Sequence, residues 1–536
     1  MAFKNGHLLL TIIFIFGTTF SSCNGANVLI VGFYMGGSHM MAMIPIGRSL
    51  VSRGHQVTFL ISDIYTGKYS KPEYTDYFKF EYYHCPNLDQ DIAKVNDEMG
   101  DLALEDNQYS QLSVLISWFT DISPRVCDAI FSDVELMKRF DAVDAVVIDV
   151  SWPCGIFIKS FLSKQRNTPI RGIVVSPSST NPYIQQLAGS PINPSYQPFS
   201  VSGLSVPMSF LERVSNVLGY LFGNSISYFM FSRPFHRIVD KYDLDPGMKN
   251  SIHEHIDIYL INTEFAVESP YSLTPNIIPV GGLTARPAGP LGEELESFMQ
   301  SSAEHGVIVF SLGSNFSVIT KTRPDVVHHF VEAFGRLPHK VLFHLHGDPP
   351  ERLPENIKML SWLPLKDVLG HPMTRLFVYH GGNNGFLEGI YHGVPMVIMP
   401  LIGDQIDNAV KVETLGLGTT LNKNRLSADI IHQKLAETLQ DPECSKRVKR
   451  ASAIFKDRPM TAPDRAAFWI EHVVKHGGSY MRSPVHDLSF VQYHLIDVIL
   501  LLIFILTTIL YLSYKLIKCC ICRCVSSCEK EKNKRD

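Results

Sequence analysis

Two short apolar runs, each closing on a glycine-bearing turn, constrain the fold of this 536-residue chain more than any other feature. Asn27–Gly32 (NVLIVG) and Gly306–Ser311 (GVIVFS) hold no charge and show no alternation, the pattern of strands buried on both faces. The first is followed by a Gly36-Gly37 turn, an amphipathic run Met40–Arg53, Gly54, and a second strand-like run Gln56–Ile61. That β–loop–helix–β order opens a doubly wound parallel sheet. Ala145–Ile148 and Ile170–Val175 extend the first set of strands. Val341–Leu345, Leu376–Tyr379 and Met396–Met399 extend the second. Pro279–Gly292, rich in Pro and Gly and aperiodic, separates the sets and reads as an interdomain linker. Two Rossmann-like halves predict a cleft at the carboxyl ends of their strands.

The ends lie outside this pattern. Residues 1–25 read as a cleaved signal peptide: Lys4 supplies the charge, Leu8–Phe16 the short apolar run, and small residues follow. Val498–Tyr514 holds no charge, and with Leu495 to Asp497 it is long enough to cross a hydrocarbon core of about 30 Å. The basic segment 515–536 behind it predicts a cytosolic tail and a body on the lumenal or external side. Lys532 and Lys534 suit retrieval to the endoplasmic reticulum, and Cys519, Cys520, Cys522, Cys524 and Cys528 are palmitoylation candidates. Of the ten cysteines, Cys85, Cys127, Cys154 and Cys444 fall on the oxidising side, where one disulfide is allowed but not identified. A net charge of −4 argues against a nucleic-acid partner. The strongly apolar run Phe210–Phe231 suits either a core helix or one that meets a bilayer or lines a greasy acceptor pocket.

Residues 362–408 concentrate the chemistry. Strand Leu376–Tyr379 ends at His380; Gly381 and Gly382 permit close backbone approach, and Asn383 or Asn384 is placed to cap the next helix. The N–H groups and positive dipole end of that helix suit phosphate. Glu388, one turn in, is placed for ribose hydroxyls, and Trp362 offers a flat face for a base, a contact worth about 1–3 kcal/mol. Asp404 and Gln405 follow the next strand, where they can hold sugar hydroxyls.

This stretch resembles the signature of the UDP-glycosyltransferase family, in its membrane-bound UDP-glucuronosyltransferase branch. The likeness runs through HPMTR, HGG-N-G, GVPMV and GDQ-DN, and includes GVIVFSLGS (306–314), KDRP (456–459), Ala-Phe-Trp (467–469), GGSHM (36–40) and RGHQVTFL (53–60). It implies a GT-B fold: residues 26–283 bind the acceptor, 284–484 bind the UDP-sugar, and 495–514 anchor the chain in the membrane as a single-pass type I protein of the endoplasmic reticulum. It also implies that His39, in the loop after the first strand, is the base that deprotonates the acceptor, and that Asp149 orients it. Ser314, His380, Gly382, Asn384 and Gly385 would face the phosphates, Glu388 the ribose, Trp362 the uracil, and Asp404 and Gln405 the sugar. Transfer would invert the anomeric centre without metal or resident cofactor, the UDP-sugar being a co-substrate and the acceptor a small lipophilic molecule. A homo-oligomer is left open.

Two departures bear on the donor. Leu365 stands where many members have Gln, and Asn262 stands where many vertebrate glucuronosyl members have an Arg suited to the glucuronate carboxylate. Glucuronic acid is the first expectation, with a neutral hexose such as glucose in competition. A membrane-anchored NAD-dependent oxidoreductase is a rival on the same sheet, yet Gly32, Gly36 and Gly37 do not make G-x-G-x-x-G. A non-catalytic receptor would not need His39 and Asp149 beside an intact donor loop. The Asp89/Asp91 and Asp243/Asp245 pairs read as solvated carboxylates in polar loops, and the Asn315-Phe316-Ser317 sequon as unused.

Overall fold

The computed structural model describes residues 25–103, 108–179, 182–313, 323–345, 350 and 352–532. The signal-peptide reading, Ser314 and the Asn315 sequon therefore lie outside the described residues, apart from Gly25 at the signal's end. The chain divides into two compact units, residues 1–481 and 482–536.

The first unit holds two wholly parallel sheets. The amino-terminal sheet has the order β3-β2-β1-β4-β5-β6-β7, built from β1 (Asn27–Val31), β2 (Gln56–Ser62), β3 (Lys79–Tyr83), β4 (Ala145–Asp149), β5 (Arg171–Ser176), β6 (Ile258–Ile261) and β7 (Ile277–Pro279). The carboxy-terminal sheet runs β10-β9-β8-β11-β12-β13, from β8 (Val307–Ser311), β9 (Lys340–His344), β10 (Ile357–Leu360), β11 (Thr374–Tyr379), β12 (Met396–Ile398) and β13 (Gly418–Thr420). Each sheet reverses its winding once, between β1 and β4 and between β8 and β11. At such a switch point the connections leave on opposite faces and open a crevice. The strands that sequence patterning misses are β3, β6, β7, β10 and β13. Two of them hold three residues each, too short for a periodic signal.

Helix α1 (Gly37–Ser52) starts three residues earlier than the apolar pattern suggests, with Gly36 at φ 65° as its N-cap. His39 thus stands in the first helical turn, not in a loop, and the rigid backbone fixes its direction. The Pro279–Gly292 segment does connect the sheets, but it is clamped. Val280, Leu283 and Thr284 are buried, and Asp367 takes two guanidinium bonds from Arg286, at 2.7 and 3.0 Å, and one from the Gly289 N–H.

Helix α2 (Phe210–Phe231) is capped by a Ser209–Glu212 box. Helices α3 (Asn383–His392) and α4 (Gln405–Thr414) follow β11 and β12. Helix α5 (Ala462–His476), late in sequence, returns to the amino-terminal sheet. Its Ala466, Ala467, Ile470 and Val473 share one core with Val28, Ile30 and Val147, and Ser49 donates to Asp464 at 2.6 Å. The first lobe is therefore closed by residues that lie within the 284–484 segment.

Cys127 and Cys154 form the disulfide, joining the segments before and after β4. In the second unit, helix α6 runs unbroken from Ile496 to Lys532, past the expected end of the span at 514, and its Ile496–Arg523 stretch is long and apolar enough to cross a membrane.

Candidate functional site

Both switch points deliver polar side chains to one groove. On the amino-terminal side, β1 leads into α1 and places His39, while β4 ends on Asp149. His39 Nδ1 lies 2.8 Å from Asp149 Oδ2. Asp149 is fully buried, and its other oxygen accepts the Ser151 N–H at 2.8 Å. The carboxylate is thus pinned from both sides, and it meets the imidazole at Nδ1, so that Nε2 stays outside this contact. The His39 side chain keeps 30 % of its surface open to solvent. Burial works against a charged ring here, yet the Asp149 charge and hydrogen bond, with Asp404 adding to them, hold its pKa above the ordinary histidine value. Phe33 packs 5.1 Å from the His39 ring and 5.6 Å from Trp118, which opens a π-helical turn, Trp118–Ile122. An aromatic wall therefore flanks the imidazole.

On the carboxy-terminal side, β11 ends at Tyr379, and His380, Gly381 and Gly382 lead into α3. The helix N-cap is Gly382, with no side-chain cap, so neither Asn383 nor Asn384 caps it as the sequence suggests. Their amides are used elsewhere. Asn383 Nδ2 donates to Pro177 O and Asn262 O, at 2.9 and 3.0 Å. Asn384 Nδ2 donates to Ser38 O at 3.0 Å, and its Oδ1 accepts from Asn262 Nδ2 at 3.2 Å. The first-turn N–H groups of α3 stay without an intrahelical partner, a setting that suits an anion. Asn384 itself bridges the lobes, bonded to the residue next to His39.

Burial lowers His380 to about 4, against a weaker opposing backbone contact with Ser311, so its ring is neutral at pH 7. Glycines make room for it. A Cβ on Gly382 would sit 2.7 Å from the ring, and one on Gly313, where φ is +78°, would sit 2.9 Å away. Gly385 faces inward, against Tyr379. Glu388, one turn on, is 4 % exposed; burial raises its pKa while Lys366, at 3.9 Å, Thr284 and Arg286 draw it down. Trp362 is 72 % exposed, so it is not a core residue. Leu365 starts a short helix and packs partly buried against the core beneath.

Asp404 and Gln405 open α4. Burial, with Asp407 next, pushes Asp404 up to about 6, while His39 and Lys411 pull it down. His39 and Asp404 thus lie within electrostatic reach of one another, one from each lobe. Gln405 Oε1 accepts the Leu401 and Ile402 N–H groups at 2.9 and 3.1 Å, which braces the loop that carries Asp404.

Several residues join the lobes in a way that sequence reasoning does not reveal, Asn262 among them, which it weighs only as a missing Arg. Asn262, 1 % exposed, donates to Pro177 O (2.8 Å) and Asn384, and its Oδ1 accepts the N–H groups of Gly282 (2.8 Å) and Leu283 (3.3 Å). All four of its amide valences are used, so it is a structural joint and not a donor contact. Lys411 pairs with Glu268 at 2.6 Å, and Asp407 accepts the Val201 N–H at 2.7 Å. A cavity of about 200 Å³ lies between these segments, lined by Phe199, Leu204, Tyr271, Val410 and Leu415. The DxD pairs are corrected in part: Asp89 and Asp91 start a helix, Asp91 pairs with Arg125 at 2.5 Å, and Asp243 with Lys164 at 2.5 Å. Among the described residues no group of three His, Cys, Asp or Glu is placed to hold a metal ion.

Two parallel doubly wound lobes, with a phosphate-type helix terminus in one facing an Asp-oriented imidazole from the other, define a GT-B glycosyltransferase. Residues 26–534 match the profile of the family UDPGT, "UDP-glucoronosyl and UDP-glucosyl transferase". The chain is 33 % identical to UDP-glucuronosyltransferase 2B7 of Homo sapiens over 524 residues (96 % of this chain, 97 % of that one). It is 34 % identical to UDP-glucuronosyltransferase 2B13 of Oryctolagus cuniculus over 520 residues (94 % of each). Among solved structures it is similar in fold to the calicheamicin glycosyltransferase CalG4, with a TM-score of 0.56 and 18 % identity over 84 % of this chain and 98 % of that one. The chain belongs to the UDP-glucuronosyl and UDP-glucosyl transferase family, and its activity is UDP-sugar-dependent glycosyl transfer.

Proposed function

We propose that the enzyme transfers glucuronic acid, with inversion, from UDP-glucuronate to a hydroxyl of a small lipophilic acceptor, as a single-pass protein of the endoplasmic-reticulum membrane with a lumenal body. In this reading the Nδ1–H of His39 is held by Asp149, and Nε2 takes the proton of the acceptor hydroxyl. The acceptor oxygen bonds to the anomeric carbon as the bond from that carbon to the β-phosphate oxygen breaks. UDP then carries off the electron pair, its charge met by the open N–H groups of α3 and by a hydrogen bond from neutral His380. Glu388 holds the ribose, Trp362 the uracil, and Asp404 and Gln405 the sugar hydroxyls. Neither metal nor resident cofactor enters any step.

The observation that carries this reading is the 2.8 Å His39–Asp149 contact facing the groove that α3 and Asp404 line. The Phe33–Trp118 wall supports a flat, lipophilic acceptor. Glucuronate is favoured by the names of the glucuronosyltransferases that the chain resembles. A second donor, UDP-glucose, is favoured by one observation. Asn262 offers no cation, and the carboxylates that act on His39, Asp149 and Asp404, do not welcome another. Membranes bearing the enzyme, incubated with a generic phenol and either UDP-sugar with and without a chelator, test the proposal. Glucuronide as main product supports the first reading, glucoside the second, and loss of turnover on chelation refutes the metal-free mechanism.

A further inference from the structure

The cavity of about 200 Å³ beside α4 stands apart from the groove: none of His39, Asp149, Trp362, His380, Glu388 and Asp404 lines it. Its walls come from both lobes. The loop 196–206 and residues 268–271 belong to the first, and α4 from Asp407 to Thr414, with Leu415 next, to the second.

Among the described residues that line it, Asp407, Glu268 and Lys411 alone carry charge. Lys411 Nζ donates to Glu268 Oε2 at 2.6 Å, both side chains being mostly buried, and Glu268 Oε1 makes no bond among the described residues. Asp407 accepts the N–H groups of Val201, at 2.7 Å, and Gly203, at 3.4 Å. Two carboxylates against one ammonium leave an excess of one negative charge. Burial pushes the Asp407 pKa up, so an added cation favours the ionised form that burial penalises. Gln197, 7 % exposed, also lines the space, and its Oε1 has no partner among the described residues.

Phe199, Leu204, Val206, Val410 and Leu415 supply apolar wall. Phe199 is held firmly: its N–H donates to Asn216 of α2 at 2.6 Å, and its ring stands edge-on to Tyr220 at 5.3 Å. Val201, on the same loop, has φ 65°, a value that a β-branched residue rarely adopts. Its N–H is the one that Asp407 holds at 2.7 Å, so the carboxylate fixes the loop in a shape that the loop does not favour alone.

Size and charge together define the occupant. An apolar cavity of about 150 Å³ accepts benzene. The larger space here takes one ring with a short arm. A positive group on that arm meets the two carboxylates in charge-assisted hydrogen bonds. We propose that this cavity is a second ligand site, which takes a small aromatic ammonium ion with its ring against Phe199, Leu204 and Leu415 and its nitrogen at Asp407 and Glu268. The assignment goes beyond the transfer reaction and holds for either donor sugar.

The test is calorimetric titration of the full chain in detergent with 2-phenylethylammonium chloride, with UDP and 4-methylphenol present in excess to fill the groove. Wild type is expected to bind about one equivalent with a Kd of about 1 mM or tighter. Val410→Trp and Leu415→Trp, which fill the space, and Glu268→Gln, which removes one charge, are each expected to weaken binding about tenfold or more. The uncharged 2-phenylethanol is expected to bind at least about tenfold more weakly than the ammonium ion. Absence of binding by wild type, binding that 4-methylphenol abolishes, or equal affinity in the variants overturns the proposal, and equal affinity for the alcohol overturns the ligand class. Matching thermal midpoints show that the variants are folded, and Glu268→Gln decides should a tryptophan variant not fold. Turnover of 4-methylphenol with a UDP-sugar in the same preparation reports separately on the transfer reading.

Discussion

Replacing Asp149 by Asn is the most informative single change, because it alters one hydrogen bond and one charge at nearly constant volume. Asp149 Oδ2 is 2.8 Å from His39 Nδ1, and its partner oxygen is already taken by the Ser151 N–H. An Asn that keeps the Ser151 bond must turn its NH₂ toward His39. Nδ1 then becomes the acceptor, the ring proton moves to Nε2, and the acceptor hydroxyl meets a donor where it needs a base. The full general-base contribution is at stake, about 10²–10⁴ in rate, or roughly 3–5 kcal/mol. Initial rates with saturating UDP-sugar and a phenol give the loss, and calorimetry with UDP is expected to show unchanged binding. The pH profile supplies a second readout. With Asp149 present, the base form of His39 prevails only above its raised pKa; stability tied to that shift is complete below the free-histidine value and is lost as pH rises through the folded pKa. Asp149→Asn removes the main upward influence and leaves burial, so the acid limb of activity moves to lower pH as the plateau falls. Turnover within about twofold of wild type, or an unmoved acid limb, would show that His39 is not an Asp-oriented base.

The remaining predictions concern the second lobe and the joints. Asp404→Asn is expected to weaken UDP-sugar binding more than UDP binding. Since burial holds Asp404 up to about 6, the proton it retains stabilises the fold at low pH, and that stability is lost as pH rises through 6; the variant's thermal midpoint is therefore expected to exceed wild type at about pH 7.5 and not near pH 4. Gly382→Ala puts a Cβ 2.7 Å from the His380 ring, and calorimetry is expected to show UDP affinity falling about tenfold, or 1.4 kcal/mol. Asn262→Ala strands the Gly282 and Leu283 N–H groups and leaves the Pro177 carbonyl to Asn383 alone, and a loss of about 2–3 kcal/mol is expected in urea unfolding. Cys127→Ser opens a cross-link over 27 residues, with an expected loss of about 3–4 kcal/mol under non-reducing conditions.

Much of the architecture was legible in the chain because buried parallel strands write themselves locally. The uncharged runs at Val28, Val307 and Leu376 need no partner to be recognised as core, and glycines beside them mark the crevice ends. The apolar stretch after residue 495 was equally plain, since a run of that length has few other uses. What the chain could not declare was which distant groups meet. Nothing near Asn262 signals that it will join Asn384, 122 positions away, and neither neighbour of Cys127 singles out Cys154. The stripe along Phe210–Phe231 is the sharpest case. Helical periodicity records that one face is apolar, and that face reads the same whether it packs on a core or stands outside it. Only the packing of Asn216 and Tyr220 against the 194–199 segment decided that the apolar side points away from the protein. Local pattern follows from short-range sterics and the preference of apolar atoms for company; direction and partnership depend on contacts made across the whole folded chain.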